Sequence, residues 1–224
     1  NYQYLDLLGG ERPRLLARVR NGLGGETTIF YRSSLDYMVD DELAGRPWTS
    51  VAPNPMTVVS AVVTSDGLGW YGETEYEYRD AVYDGLEAEF RGFRRALARS
   101  LGDAHTPTAV AFSSFYTGER PDWLCEGLAS RQECSLVDNP FEALKGAEYL
   151  SETRSDPEGA PDPWEHPSAE YLSTSHASFT VDQLYNGLDG RGVWLRWSEQ
   201  SDSFLYSHDP YTPGAGAVSD IPAL

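Results

Sequence analysis

The middle of the chain carries two alternating runs of residues on either side of a turn sequence. Over residues 73–79, threonine and tyrosine alternate with charged residues, which is the period-two pattern of a half-buried strand. Asp84-Gly85 follows and is typical of a two-residue type I′ turn, because glycine adopts positive φ without a steric penalty. We therefore expect an antiparallel hairpin with one solvated face. After the turn, one face would hold Leu86, Ala88 and Phe90, and the other Glu87, Glu89 and Arg91.

The composition fits a fold made of many such hairpins. Glycine and proline number 21 and 14 among 224 residues, which is high for a helical protein and usual for an all-β chain rich in turns. We expect eight to ten short strands, mainly in antiparallel hairpins, with one or two short helices. The length alone allows one large or two small domains. Further strands are predicted at residues 15–20, 27–31, 56–64, 108–116, 179–185, 193–197 and 204–206, the first two joined around Gly24-Gly25.

Other segments carry helix or loop signals. Residues 121–145 are the best helical candidate, with Asp122 expected to cap a first turn, Asn139 a second, and Gly146 to end it. Residues 94–101 fit either a helical turn or a continuing strand. Residues 33–47 are polar and acidic and predict a loop that Trp48 anchors. Residues 155–168 predict a linker, and residues 207–224 an irregular segment.

The charge balance narrows the choice of partners. The chain has 35 acidic and 17 basic residues, a formal charge of −18, so its surface would repel nucleic acid and anionic membranes. No window approaches the ~20 apolar residues of a membrane-spanning helix. No signal peptide is visible, and the chain begins as though it were an internal piece of something longer.

Two cysteines leave the redox state open. Cys125 and Cys134 enclose a loop of about ten residues, which a disulfide would stabilise by roughly 2.7 kcal/mol in the chain-entropy model. The alternative is two unrelated free thiols, and two cysteines alone do not decide the compartment.

The residues that usually carry catalysis or metal binding form no known motif. The four histidines occur singly, and neither His-Glu-x-x-His nor Gly-x-Ser-x-Gly is present. A zinc site would need His and Cys side chains to meet through the fold. The acidic groups, Asp40-Asp41-Glu42 and Asp162 with Glu165, do not match an EF-hand loop. Close acid pairs of the glycosidase kind arise by chance among this many carboxylates. We expect no catalytic residue, cofactor or metal.

Several of these segments together resemble a known family. The similarity is strongest over Tyr83-Asp84-Gly85 and the Glu89, Phe90, Arg91, Gly92 and Phe93 motif, and it covers about residues 12–155 in order. In this region the chain resembles the segment after the β-propeller in the B subunit of insecticidal toxin complexes (Tc toxins), SpvB-like proteins and Rhs/YD-repeat proteins. The other matching segments are residues 14–24, 27–34, 45–48, 57–59, 115–118 and 143–146. Two segments depart from the family pattern, Asn54-Pro55-Met56 and the stretch from Cys125 to Cys134.

The resemblance implies a structural role. In this family the B and C subunits form a hollow β-cocoon that encloses a cytotoxic effector, so residues 1–155 would be part of its wall. Residues 156–224 would add a linker, further strands and an irregular end. The expected partners are other segments of the same assembly and an enclosed effector. The expected location is secreted and extracellular, in a bacterial toxin. The alternatives are an extracellular β-module that binds glycans through exposed Trp and Tyr and, more remotely, a β-rich hydrolase.

Overall fold

In the part of the chain that the structure describes, nine strands form one antiparallel sheet in which every strand pairs with its neighbours in sequence. The computed structural model describes residues 14–103, 106–156, 164 and 171–206. The predicted all-β fold is confirmed. The strands are β1 (Arg18–Arg20), β2 (Glu26–Ser33), β3 (Thr57–Ser65), β4 (Tyr71–Asp84), β5 (Glu89–Ser100), β6 (Ala109–Phe115), β7 (Glu148–Ser155), β8 (Tyr171–Asn186) and β9 (Gly192–Leu205).

Four strand expectations need adjustment. The strand predicted at residues 15–20 shortens to β1, because only Arg18–Arg20 pairs with β2. Residues 94–100 are strand, since β5 is paired on both sides, with β4 and with β6. The runs at 193–197 and 204–206 belong to one long strand, β9, whose whole length pairs with β8.

The type I′ turn predicted at Asp84-Gly85 is wrong. Asp84 pairs with Glu89, so four residues connect β4 to β5, and the strand expected from Leu86 begins only at Glu89. Ala88 has positive φ, 55°, whereas Gly85 does not. The carboxylate of Asp84 accepts hydrogen bonds from the backbone N–H of Leu86 and of Glu87, at 2.8 and 3.1 Å. These bonds organise a wider turn than the dipeptide rule predicts.

The acidic segment predicted as a loop contains a helix. Helix α1 (Ser34–Leu43) begins at Ser33, whose side chain accepts a hydrogen bond from the backbone N–H of Leu35, as in an N-cap. Its Tyr37 is buried against Tyr78, and the Tyr37 hydroxyl donates to the backbone oxygen of Tyr76 at 2.7 Å. The helix therefore covers one face of β4.

The connection between β6 and β7 holds short helical turns, as expected for residues 121–145, but three of them where the sequence predicts two. A 3₁₀ helix spans Asp122–Cys125, helix α2 spans Arg131–Ser135, and a second 3₁₀ helix spans Pro140–Leu144. Asp122 does not cap the first of them, because Pro121 occupies the N-cap position without a side-chain hydrogen bond. Asn139 does cap the last one, accepting from the backbone N–H of Phe141, and Gly146 ends it with φ of 72°.

The buried core is thin for so wide a sheet. Among the described residues, the largest fully buried side chains are Leu97, Val82, Val110 and Asp80. Most other strand positions are half-buried on both faces, including the tyrosines and glutamates of β4 that were expected to separate cleanly. The linker expected at 155–168 and the irregular end expected at 207–224 lie almost wholly outside the described residues.

Candidate functional site

A buried arginine links the β4–β5 turn to the connection between β6 and β7. The side chain of Arg91 is 1% exposed, and its Nη2 lies 2.7 Å from Asp84 Oδ2. Its Nη1 donates to the backbone oxygen of Gly118 at 3.1 Å and also contacts the Glu142 carboxylate. The sequence placed Arg91 on a solvated face, and this expectation is wrong. A register shift between Val82 and Tyr83, together with the covering β6–β7 connection, places the residue inside.

The charges of this cluster stabilise one another. Burial alone would raise the pKa of Asp84, but hydrogen bonds from the backbone of Glu87 and Leu86 and from Arg91 outweigh it and hold the pKa below its usual value. Burial alone would lower the pKa of Arg91, and its bonds to Glu142 and Asp84 raise it instead. Both groups are therefore charged, as a buried ion pair with satisfied partners should be.

The two glutamates around the turn are also paired. Glu89 Oε1 lies 2.5 Å from Lys145 Nζ, and Glu87 Oε1 lies 3.5 Å from Arg120 Nη2. The hydrogen bond from Lys145 is the main reason that the pKa of Glu89 is lowered. Arg120 also donates to the backbone oxygen of Val137. The Asp84–Phe93 motif is thus tied by several charged side chains to the β6–β7 connection.

Phe90, Gly92 and Phe93, which belong to the same motif, have packing and backbone roles. Phe93 lies 5.0 Å from the ring of Tyr78 and 5.4 Å from that of Phe90, measured between centroids. Trp48 meets Phe93 edge to face. Gly92 has φ of 112°, a conformation that favours glycine, at the register shift. This part of the motif sets the packing of α1 and its following loop on the sheet.

A second buried charge network lies at the middle of β4. Asp80 is 1% exposed and has φ of 58°. Its carboxylate accepts from the Thr49 backbone N–H at 2.7 Å, from the Thr49 hydroxyl at 2.9 Å and from Arg95 Nε at 3.0 Å. Burial alone would raise its pKa, but these bonds from Arg95 and Thr49 lower it. Asp80 was not predicted from the sequence, although the charged pair Arg79-Asp80 before the apolar Ala81-Val82 was a signal.

Asp41 lies in the same region, and its carboxylate is engaged by neighbouring side chains instead of being free to bind calcium. Its carboxylate lies 3.0 Å from Arg79 Nε and 3.0 Å from Arg46 Nη2, and it accepts from Trp48 Nε1 at 2.7 Å. No group of three or more His, Cys, Asp or Glu side chains is placed to hold a metal among the described residues. His105, His166 and His208 lie outside them, as do Asp162 and Glu165, while His176 lies in β8 opposite Leu150 and Asp202.

An open cleft of about 510 Å³ lies beside the β4–β5 turn. Cys125 and Cys134, joined as a disulfide with their Cα atoms 5.2 Å apart, line it together with Arg120 and Arg131. On its other side lie Tyr83 to Leu86. Two of the lining carboxylates, Asp84 and Glu119, are already engaged by Arg91 and Arg94, and the lining shows no nucleophile with an adjacent base of the kind that hydrolysis requires.

The aromatic side chains that could contact a sugar are spread over the molecule. Trp70, Trp123 and Trp197 are each more than half exposed. They lie before β4, in the first 3₁₀ helix and in β9, respectively. None of the described helices is long and apolar enough to cross a lipid bilayer.

Comparison with known proteins points to one family. The family model described as the insecticide toxin TcdB middle/N-terminal region matches residues 6–123, in agreement with the resemblance seen in the sequence. The fold is similar to chains in the crystal structures of TcdB2-TccC3-TEV, TcdB2-TccC3-Cdc42 and TcdB2-TccC3. Their TM-scores are 0.65, 0.64 and 0.61, and their identities 18%, 19% and 20%. No curated protein matches the chain.

These similarities cover unequal shares of the compared chains. The first two structures match over 86% of this chain and the third over 84%, but each match covers 10% of the larger chain. The chain therefore spans about a tenth of the length of the solved structures it resembles. At identities of 18–20%, the structural similarity shows a shared fold.

Proposed function

The chain belongs to the family of the insecticide toxin TcdB middle/N-terminal region, and on this premise we propose that it is a non-catalytic wall segment of a toxin-enclosing shell. The observation that carries the proposal is the family match combined with the continuous nine-stranded meander that the described residues form. A shell wall needs a wide sheet that continues into its neighbours more than it needs a closed core.

The thin core supports this role. Only a few side chains of the described residues are fully buried, and several large apolar side chains of β8 and β9 are exposed, including Leu184, Tyr185, Leu195 and Trp197. Leu195 and Trp197 lie two residues apart and share one face of β9, where a contiguous apolar patch would mark contact with another surface. The wall would be completed by segments that pack on the sheet or continue it.

The two edge strands of the described sheet differ in length, and this difference also supports the role. β1 has three residues, whereas β9 has fourteen and pairs only with β8 among the strands that the structure describes. A long unpaired edge offers N–H and C=O groups to another strand. We propose that β9 pairs with another segment of the same assembly.

The similar structures support a proposal about the partners. The similar structures contain TcdB2 with TccC3, and for this chain we propose an assembly with other toxin-complex segments, an enclosed effector and a secreted location. Residues 1–155 would form the family-like wall and residues 156–224 an extension of it. A glycan-binding role has less support, because the exposed tryptophans lie on three separate elements.

The proposal is tested by comparing the isolated chain with the full-length natural protein. We expect isolated residues 1–224 to self-associate in sedimentation and to melt without a cooperative transition, because their edges lack partners. In the full-length protein, the β9 amides should exchange with deuterium slowly. An isolated chain that is monomeric and melts cooperatively would contradict the proposal, as would rapid exchange along β9 in the full-length protein.

A further inference from the structure

The segment between Cys125 and Cys134 has few buried residues that pack it against the rest of the molecule. All residues from 126 to 133 are exposed, and Cys134 is the one fully buried residue between 121 and 135. The helical turns on either side of the bridge have four and five residues, too short to be stable alone. The segment depends on its cross-link more than on packing.

The bridge is also within reach of a small molecule. Cys125 and Cys134 both line the open cleft of about 510 Å³. Cys134 is 6% exposed, whereas Cys125 is half-buried. Arg131 and Asp122 lie in the same lining, and neither forms an ion pair with another described residue, so the cleft presents free charges of both signs. Because Cys125 is the less buried of the two residues, we take its sulfur as the site of attack.

We propose that the Cys125–Cys134 disulfide is a redox latch that small thiols open through this cleft. A thiolate attacks Cys125 Sγ, the S–S bond breaks, and Cys134 leaves as a thiolate that takes up a proton. A second thiol then resolves the mixed disulfide, so two reductant thiols become one disulfide while the two cysteines are reduced. The segment from Asp122 to Ser135 loosens, and the β4–β5 turn loses the wall that faces it.

The sheet does not depend on the latch. Arg91 holds Gly118 and Glu142, which lie outside the bridged loop on either side. The core residues Leu97, Val82 and Val110 lie in β5, β4 and β6. Opening is therefore local, and it holds whether or not the chain is a shell wall.

The test is hydrogen–deuterium exchange of the full-length natural protein with and without dithiothreitol, under native conditions. Reduction should accelerate exchange of the amides between residues 122 and 135 by up to about a hundredfold, the effect of cross-linking a ten-residue loop. The amides of β4, β5 and β6 should be unchanged. A Cys125→Ser/Cys134→Ser variant should exchange rapidly in this segment from the start and should not respond to dithiothreitol.

Two outcomes overturn the latch. One is an unchanged exchange rate of amides 122–135 in reduced wild-type protein, when alkylation and mass spectrometry show that both cysteines are free thiols. The other is loss of protection throughout the sheet, which would make the bridge a global stabiliser. Because the wild-type measurement needs no substitution, it decides the question even where the double variant fails to fold.

Discussion

The guanidinium of Arg91 contacts the carboxylate of Asp84 across the base of the β4–β5 turn, with 2.7 Å between Nη2 and Oδ2 and 2.9 Å between Nε and Oδ2. Asp84 ends β4, Arg91 lies in β5, and the same guanidinium reaches the β6–β7 connection. One ion pair therefore fixes the register of two neighbouring strands and the position of a segment far along the chain. Such a fixed point suits a wide sheet with a thin core.

Removing Arg91 should destabilise the hairpin strongly. We expect Arg91→Met to cost the β4–β5 hairpin about 3–5 kcal/mol, because it leaves the carboxylate of Asp84 buried without its partner. Exchange rates of the β4 and β5 amides in the full-length protein measure this cost. Arg94→Met is the matched control, since the side chains of Arg94 and Glu119 are 44% and 39% exposed, and an exposed pair contributes at most about 1 kcal/mol. Similar small effects for both variants would contradict the role of Arg91.

The observed β4–β5 turn and a type I′ turn predict opposite effects for glycine and alanine substitutions at positions 85 and 88. Ala88→Gly should stabilise the hairpin by up to about 1 kcal/mol, because Ala88 has φ of 55°, where a Cβ is unfavourable. Gly85→Ala should change the stability little, since its new Cβ would meet only the end of the flexible Arg131 side chain, at 3.1 Å. The exchange rates of the β4 and β5 amides in these two variants distinguish the observed turn from a type I′ turn. A type I′ turn would instead make Gly85→Ala the costly substitution.

The strands were largely predictable because their signal is local. Alternation and β-branched residues identified β3, β4 and β6, and turn residues separated them. Tertiary interactions decided the rest. Residues 94–101 have helix-forming side chains, but residues 94–100 become strand because β4 and β6 pair with β5 on both sides.

The charged site was less predictable, since its partners lie far apart in sequence. The motif from Asp84 to Phe93 was found, but Arg91 was placed on a solvated face because nothing local indicates contact with Glu142. Asp80 meets Thr49 and Arg95 only through the fold. Helix α1 was missed because its acidic residues suggested a loop, although Ser33 is a regular N-cap.

The small core makes each buried apolar residue important. Leu97 is 1% exposed and lies between Glu77 of β4 and Phe112 of β6. Leu97→Ala should destabilise the sheet by about 2–5 kcal/mol, from lost burial and the cavity left behind. Leu68→Ala is the control, because Leu68 is 92% exposed and should contribute almost nothing. Protection of the β4, β5 and β6 amides would report the difference, and equal effects would mean that the core lies elsewhere.

The buried carboxylates predict acid sensitivity. The pKa values of Asp80 and Asp84 are lowered in the fold, by bonds that outweigh burial. A group with a lowered folded pKa stabilises the fold above its unfolded pKa of about 4 and loses that stabilisation as the pH falls through the folded value. Corrected exchange protection of β4 and β5 should thus be flat from about pH 7 to 5 and should fall below about pH 4.

Substitution separates these two carboxylates from the other acids of the chain. Asp80→Asn with Asp84→Asn should lower the protection at neutral pH and flatten its dependence below about pH 4, because no proton is then taken up at these positions. Asp66→Asn, in the exposed loop between β3 and β4, should leave the acid dependence as it is in the wild type. An acid transition that survives the double substitution unchanged would assign the sensitivity to other carboxylates and contradict the prediction.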